Sequence, residues 1–176
     1  MESVTQHECS SSTRKELLAT SEHPYHFIDS GLSNVYLVGI RYFVCECGRV
    51  VAEIPAAKQL LALIARDLVW KPTALAPEEV RFLRKRLGEK QADFAKHIGV
   101  RSETLCRFET GETSTNERTD KLMRLYYALA SEDPVLIEGL RQAVQELLAK
   151  WQRTNAPAKI VATVKDNGWE ADLVAA

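Results

Sequence analysis

The sequence predicts an α+β chain in which a small N-terminal antiparallel β module joins an all-α domain that ends in a C-terminal helix and strand. Three observations carry that expectation. Short β-type runs punctuated by Gly31, Gly39 and Gly48 lie between Tyr25 and Ile54. From Leu60 onward the apolar residues recur at helical spacing, with Pro77 and Pro134 at first-turn positions. Within that helical part, Gln91 to Phe108 reads QADFAKHIGVRSETLCRF. There the small Ala95 and the positive-φ-tolerant Gly99 let two short helices cross at a tight angle.

Taken in order, residues 1–24 are rich in Ser, Thr and Glu and are expected as a largely disordered tail, apart from a short helix around Arg14 to Ala19. Residues 25–55 form the β module, with runs at Tyr25 to Ile28, Asn34 to Ile40, Arg41 to Cys45 and Arg49 to Ile54. Residues 56–76 read as a connecting helix and linker, with Leu60, Leu61, Leu63, Ile64 and Leu68 on one stripe and an end near Trp70 and Pro72. The helical domain covers 77–130. Pro77, Glu78 and Glu79 open a helix through Phe82, Leu83 and Leu87 to Gly88, and it braces the crossing pair. Asn116 or Thr115 caps the next helix, which carries Leu122, Leu125, Tyr126 and Leu129. Residues 131–176 hold a last helix, from Pro134 through Ile137, Leu140, Val144, Leu147, Leu148 and Trp151. An apolar strand at Ala158 to Val164, a turn at Asp166 to Gly168 and a short apolar end at Trp169 to Val174 follow. This end fits an added strand, a dimer arm or a partner-binding tail.

The net charge is −1, so the molecule as a whole does not attract polyanions. Its distribution is uneven. Arg81, Arg84, Lys85, Arg86 and Lys90 precede the crossing pair, and Lys96, Arg101 and Arg107 continue into it, interrupted by Glu89, Asp93, Glu103 and Glu109. A local basic face is compatible with phosphate contacts, and a solvated helix surface of mixed charge is the plainer reading. No apolar run reaches membrane-span length, and no secretory leader pattern opens the chain, so a cytoplasmic, membrane-free protein is expected.

Phe94, Ile98, Val100, Leu105 and Phe108 fall inward by helical spacing, which turns Arg101, Ser102, Glu103, Thr104, Cys106 and Arg107 outward. That is the pattern of a helix-turn-helix, whose outer face enters a DNA major groove. Arg101 and Arg107 suit guanine, Thr104 a thymine methyl and Glu103 a cytosine amine. Alternatively Ser102 and Glu103 only cap the second helix, while Arg107 pairs with Glu103 one turn away. Gln91 and Lys90 are placed to hold a phosphate. The polar loop Thr110, Gly111, Thr113, Ser114 and Thr115 either donates to the backbone of DNA or is only a turn.

Gln91, Phe108, Glu109 and Gly111 make the region resemble the Cro/phage-repressor helix-turn-helix, also called the XRE family. The resemblance implies that Glu109 is structural and pairs with an arginine of the bracing helix such as Arg84. Upstream, YHFIDSGLSNVYLVGIRYFVCECG, IPAAKQLLALIARDL and EEVRFLRKRLG extend it. Over about Gln6 to Leu129 the chain is similar to YgiT/MqsA-type antitoxins and related regulators. Those join a zinc-binding module to a dimeric helix-turn-helix that represses its own promoter, and in true antitoxins the zinc module contacts a toxin. The resemblance therefore implies a homodimeric transcriptional regulator on double-stranded DNA, or alternatively the antitoxin of a type II pair whose N-terminal module binds a toxin protein. The β module departs from the family pattern and is zinc-finger-like but degenerate. Where the family has two C-x-x-C pairs, Gln6 and Val44 stand at the first positions, leaving Cys9 and Cys47 with His7 and Cys45 nearby. One structural Zn2+ on His7, Cys9, Cys45 and Cys47 is chemically accessible; a knuckle held by the sheet alone is the alternative.

Catalysis is not expected. Cys9, Cys45 and His26 offer thiols and a base without anything to position them, and no phosphate loop, acid pair or nucleophile elbow is present. Cys106 on the outer face is open to oxidation that blocks DNA binding, or is simply a small packing residue.

Overall fold

The computed structural model describes residues 14–150, 159–165 and 168–174, and shows a mixed α+β chain with small antiparallel sheets and six helices. It divides into two compact units, Met1–Leu136 and Ile137–Ala176.

In the first unit, β1 (Arg14–Leu18), β4 (Arg41–Cys45) and β5 (Val50–Ala52) form a three-stranded antiparallel sheet in the order β1-β4-β5. A smaller ladder joins β2 (Tyr25–His26) to β3 (Tyr36–Leu37), with a 3-10 turn at Ile28–Ser30 between them. Two expectations are corrected here. Arg14–Leu18 is a strand, not a short helix, because Leu18 pairs with Arg41 and Arg14 with Cys45. Long-range pairing overrides a local sequence of good helix formers. The β module therefore begins ahead of Tyr25, inside the stretch expected as a tail. The expected strands at Tyr25 to Ile28 and Asn34 to Ile40 shrink to two residues each, since Ser30 Oγ donates to the Phe27 carbonyl and closes the turn instead.

The helices are α1 (Ala57–Trp70), α2 (Pro77–Arg86), α3 (Gln91–His97), α4 (Ser102–Thr110), α5 (Glu117–Ala130) and α6 (Pro134–Lys150). Pro77 is the first residue of α2, with Glu78 and Glu79 in its first turn and Arg84, Lys85 and Arg86 in its last, each charge matching the nearer end of the helix dipole. Asn116 caps α5, its side chain accepting from the Thr119 N–H at 2.9 Å. The core gathers Val80 and Leu83 of α2, Phe94 of α3, Leu105 of α4, Met123 of α5 and Leu136 at the start of α6, all without solvent exposure. Each such side chain contributes roughly 1.5–3 kcal/mol by leaving water.

α1 does more than connect. Ala65, Leu68 and Val69 are buried, α1 packs on α5, and Arg66 pairs with Asp133 at 2.9 Å. The turn that follows α1 is fastened as well: Lys71 reaches Glu79 at 2.5 Å, and the Leu75 N–H donates to Asp120 at 2.7 Å. The β module is tied to α2 through Ser33, whose N–H and hydroxyl both donate to Glu78. Those two bonds hold the Glu78 carboxyl below its ordinary range.

In the second unit, β6 (Lys159–Lys165) and β7 (Gly168–Val174) pair antiparallel from Lys159↔Val174 to Lys165↔Gly168. The expected apolar end after the turn is thus a full second strand. No helix among the described residues is long and apolar enough to cross a membrane.

Candidate nucleic-acid interface

α3 ends when Ile98 and Gly99 turn the chain, and Gly99 takes φ +69°, a left-handed conformation that costs glycine nothing. The Val100 N–H donates to the Ala95 carbonyl at 2.9 Å, closing the turn onto a residue only 1% exposed. A larger side chain at Ala95 would push the helices apart. α4 then starts one residue earlier than the expected cap allows. Arg101 is extended and its carbonyl accepts from the Leu105 N–H at 3.1 Å, so Arg101 is the cap position and Ser102 the first helical residue. Ser102 therefore does not cap α4.

Burial splits α4 lengthwise. Leu105, Phe108 and Glu109 are buried, whereas Arg101, Glu103, Cys106 and Arg107 are exposed and Ser102 and Thr104 are half-buried. The exposure of Cys106 removes the packing role open to it from sequence. Arg107 does not pair with Glu103; its Nε faces Glu112 Oε2 at 3.8 Å. Thr113 and Ser114 are exposed in the loop after α4, where Gly111 takes φ +79° at the helix end.

Beneath this face lies a polar core. Arg84 grips Glu109 with two parallel bonds, Nε to Oε1 at 2.6 Å and Nη2 to Oε2 at 2.8 Å. Arg81 donates to the Glu109 carbonyl at 2.6 Å, and Arg84 also reaches the Glu89 carbonyl at 2.9 Å. Burial alone would push the Glu109 carboxyl up, but the hydrogen bonds of Arg84 and Gln91 and the charges of Arg84 and Arg81 outweigh it and hold it below its ordinary value. Gln91 enters the same network, its amide nitrogen donating to Glu109 Oε2 at 2.8 Å. One of its two amide N–H groups is thus engaged inside the fold. Lys90, next to it, is exposed.

One cluster has no counterpart in the sequence reading. The Tyr126 hydroxyl donates to Glu89 at 2.5 Å and lies 2.6 Å from His97 Nδ1, joining α5 to the last residue of α3 and to the link that precedes α3. Desolvation first, then the bond and charge of Glu89, push the phenol up to about 12. No local spacing announces it, since its members come from α3, α5 and the link before α3.

Of the expected zinc ligands, His7 and Cys9 lie outside the described residues. Cys45 ends β4 and is buried; Cys47 is exposed in the turn that follows, closed by the Gly48 N–H on the Cys45 carbonyl at 2.8 Å. Cys47 is outside the strand, so strand alternation does not fix the two thiols relative to each other. Among the described residues no third His, Cys, Asp or Glu joins them in a metal-holding group. The adjoining sheet face forms an open groove of about 930 Å3, lined by Arg14, Arg41, Phe43, Cys45, Val51 and Glu53 among others.

Fold and site together define a small α+β chain that presents one face of a short helix beside a tight turn. Comparison with known proteins adds nothing to that class: no family model, no curated protein and no solved structure matches the chain.

Proposed function

We propose that the chain is a sequence-specific DNA-binding transcriptional regulator, a homodimer in which α3 and α4 act as a helix-turn-helix with α4 in the major groove. The observation that carries this reading is the lengthwise division of α4, whose apolar side is sealed while Arg101, Glu103, Cys106 and Arg107 stand in solvent on the other. A helix fixed so firmly from behind presents its front in a constant register. Arg101 and Arg107 read guanine, Glu103 a cytosine amine and Thr104 a thymine methyl. Lys90 and the exposed loop with Thr113 and Ser114 supply phosphate contacts, while Gln91 braces the pair from inside. Two copies on half-sites about 34 Å apart would occlude a promoter, the chain's own being the first to test.

The test is binding to its own upstream duplex and to a scrambled duplex, followed by fluorescence anisotropy at two salt concentrations. A preference of about 10³ that survives the higher salt is expected; equal, steeply salt-sensitive binding would count against sequence reading. Arg107→Ala should weaken the cognate duplex about 5- to 150-fold, the worth of one bidentate base contact, and leave the melting temperature unchanged. An equal loss of folding would remove Arg107 from the reading face.

A structural zinc on His7, Cys9, Cys45 and Cys47 belongs to the same proposal. Its support is the pair of thiols in one tight turn, a donor set that zinc favours. Such an ion would cross-link the β module. Purified protein should then carry about one equivalent of zinc per chain, and chelation should lower its melting temperature. Metal-free protein with an unchanged melt would withdraw the ion.

A further inference from the structure

The loop after α4 is folded back on the helix. The Gly111 N–H donates to the Phe108 carbonyl at 3.3 Å, the Thr113 N–H to the Arg107 carbonyl at 3.3 Å, and Thr110 Oγ1 to that same carbonyl at 3.3 Å. Glu112 sits between these anchors and faces the Nε edge of Arg107 at 3.8 Å. Both side chains are about two-thirds exposed, at 63% and 66%, so the pair adds little to stability. Its value lies in direction.

The guanidinium has two edges that can pair with an acceptor, and guanine recognition uses two parallel N–H groups. A carboxylate beside Nε biases that edge toward the protein and leaves the Nη1/Nη2 edge for a base. A phosphate, by contrast, would give Arg107 only the anionic oxygens that Glu112 already offers, and would bring two negative charges together. Guanine N7 and O6 carry no net charge and meet no such repulsion.

The geometry points to Glu112 as a positioning residue for specificity: it orients Arg107 toward a guanine edge and denies Arg107 to the phosphate backbone. This rests on the DNA-reading proposal. It adds to that proposal a residue outside both motif helices whose carboxylate sharpens discrimination by opposing non-specific contact.

The experiment uses the full chain and two duplexes, the sequence that the wild-type protein selects from a randomised pool and a scrambled duplex of the same composition. Glu112→Gln keeps shape and removes charge. It should bind the scrambled duplex about fivefold tighter at low salt, and its salt slope there should steepen by about 0.9, the mark of one added phosphate contact. Affinity for the selected duplex should rise less or fall, so the ratio between duplexes drops. In an Arg107→Ala background the same substitution should leave the scrambled salt slope unaltered. An unchanged ratio and slope in Glu112→Gln, with selection by the wild type intact, would overturn the role of Glu112 alone. So would a steepened slope that persists without Arg107, since Glu112 would then act on phosphates directly. A wild-type protein that selects no sequence would instead overturn the DNA-reading proposal and this inference with it.

Discussion

Glu109→Gln should lower folding stability by about 3 kcal/mol, because it breaks a buried ion pair from one side and leaves Arg84 without its counter-charge. Glu109 is 3% exposed and the Arg84 side chain 12%, so water cannot replace the lost partner well. Against a total stability of 5–15 kcal/mol for an ordinary domain, that is a large fraction. A chain of this size should melt about 6–12 °C lower. The double variant Arg84→Met with Glu109→Leu should recover part of the loss, since apolar replacement of both partners removes the stranded charge. Acid adds a second signature. The Glu109 carboxyl is held below its ordinary 4.5, so its stabilising contribution is fully present above that value and fades as pH falls through the folded-state value. Glu109→Gln should flatten the acid limb of a stability–pH curve measured by urea unfolding. The flattening is partial, because Glu78 and Asp133 are shifted in the same direction. Parallel acid limbs for variant and wild type would mean that the Arg84 bond does not set the carboxyl's titration.

The Glu109 pair was anticipated only through the resemblance of Gln91, Phe108, Glu109 and Gly111 to the Cro/phage-repressor pattern, which implies an inward carboxylate held by an arginine of the bracing helix; spacing alone does not name it. Pro77 and Asn116 were legible directly, since each acts within a single turn of its own helix. What escaped reading acts across the chain. β1 could not be seen from RKELL alone, since its partner β4 begins only at Arg41. The start of α4 was missed by one residue, as a serine one place past the cap looks like the cap itself. Gln91 also donates one amide N–H to Glu109, eighteen positions away, a bond that no spacing rule within α3 reveals.

Arg124→Ala should be as damaging as the loss of Glu109, about 3–5 kcal/mol, though nothing in the sequence distinguished that arginine from its neighbours. Its side chain is 11% exposed on α5. From there Nη1 donates to the carbonyls of Leu68, Val69 and Lys71 at 2.9, 3.2 and 2.7 Å, and Nη2 to that of Thr73 at 2.5 Å. Nε pairs with Asp120 at 2.8 Å. The last carbonyls of a helix have no donors of their own, and they carry the negative end of its dipole. A cation from α5 therefore satisfies the end of α1 and fastens it in one step. Asp120 is held by the same arginine and in turn accepts from the Leu75 N–H, so the loop before α2 depends on the contact too. Arg124→Lys keeps the charge but supplies one ammonium in place of a planar fork, and it should restore less than half of the loss. Hydrogen exchange would localise the damage, with protection falling first at the Lys71 amide, which closes the helix end that Arg124 fastens, and at the Leu75 amide, whose acceptor Asp120 loses its partner. Unchanged protection there, with a global loss of stability, would refute the fastening role. α4 packs on α2 and α3, so under the proposed DNA-reading role the folded fraction of Arg124→Ala should bind DNA as the wild type does. Stability and the proposed recognition would then separate, with the α1–α5 contact fastening the first unit and α4 carrying the proposed base contacts.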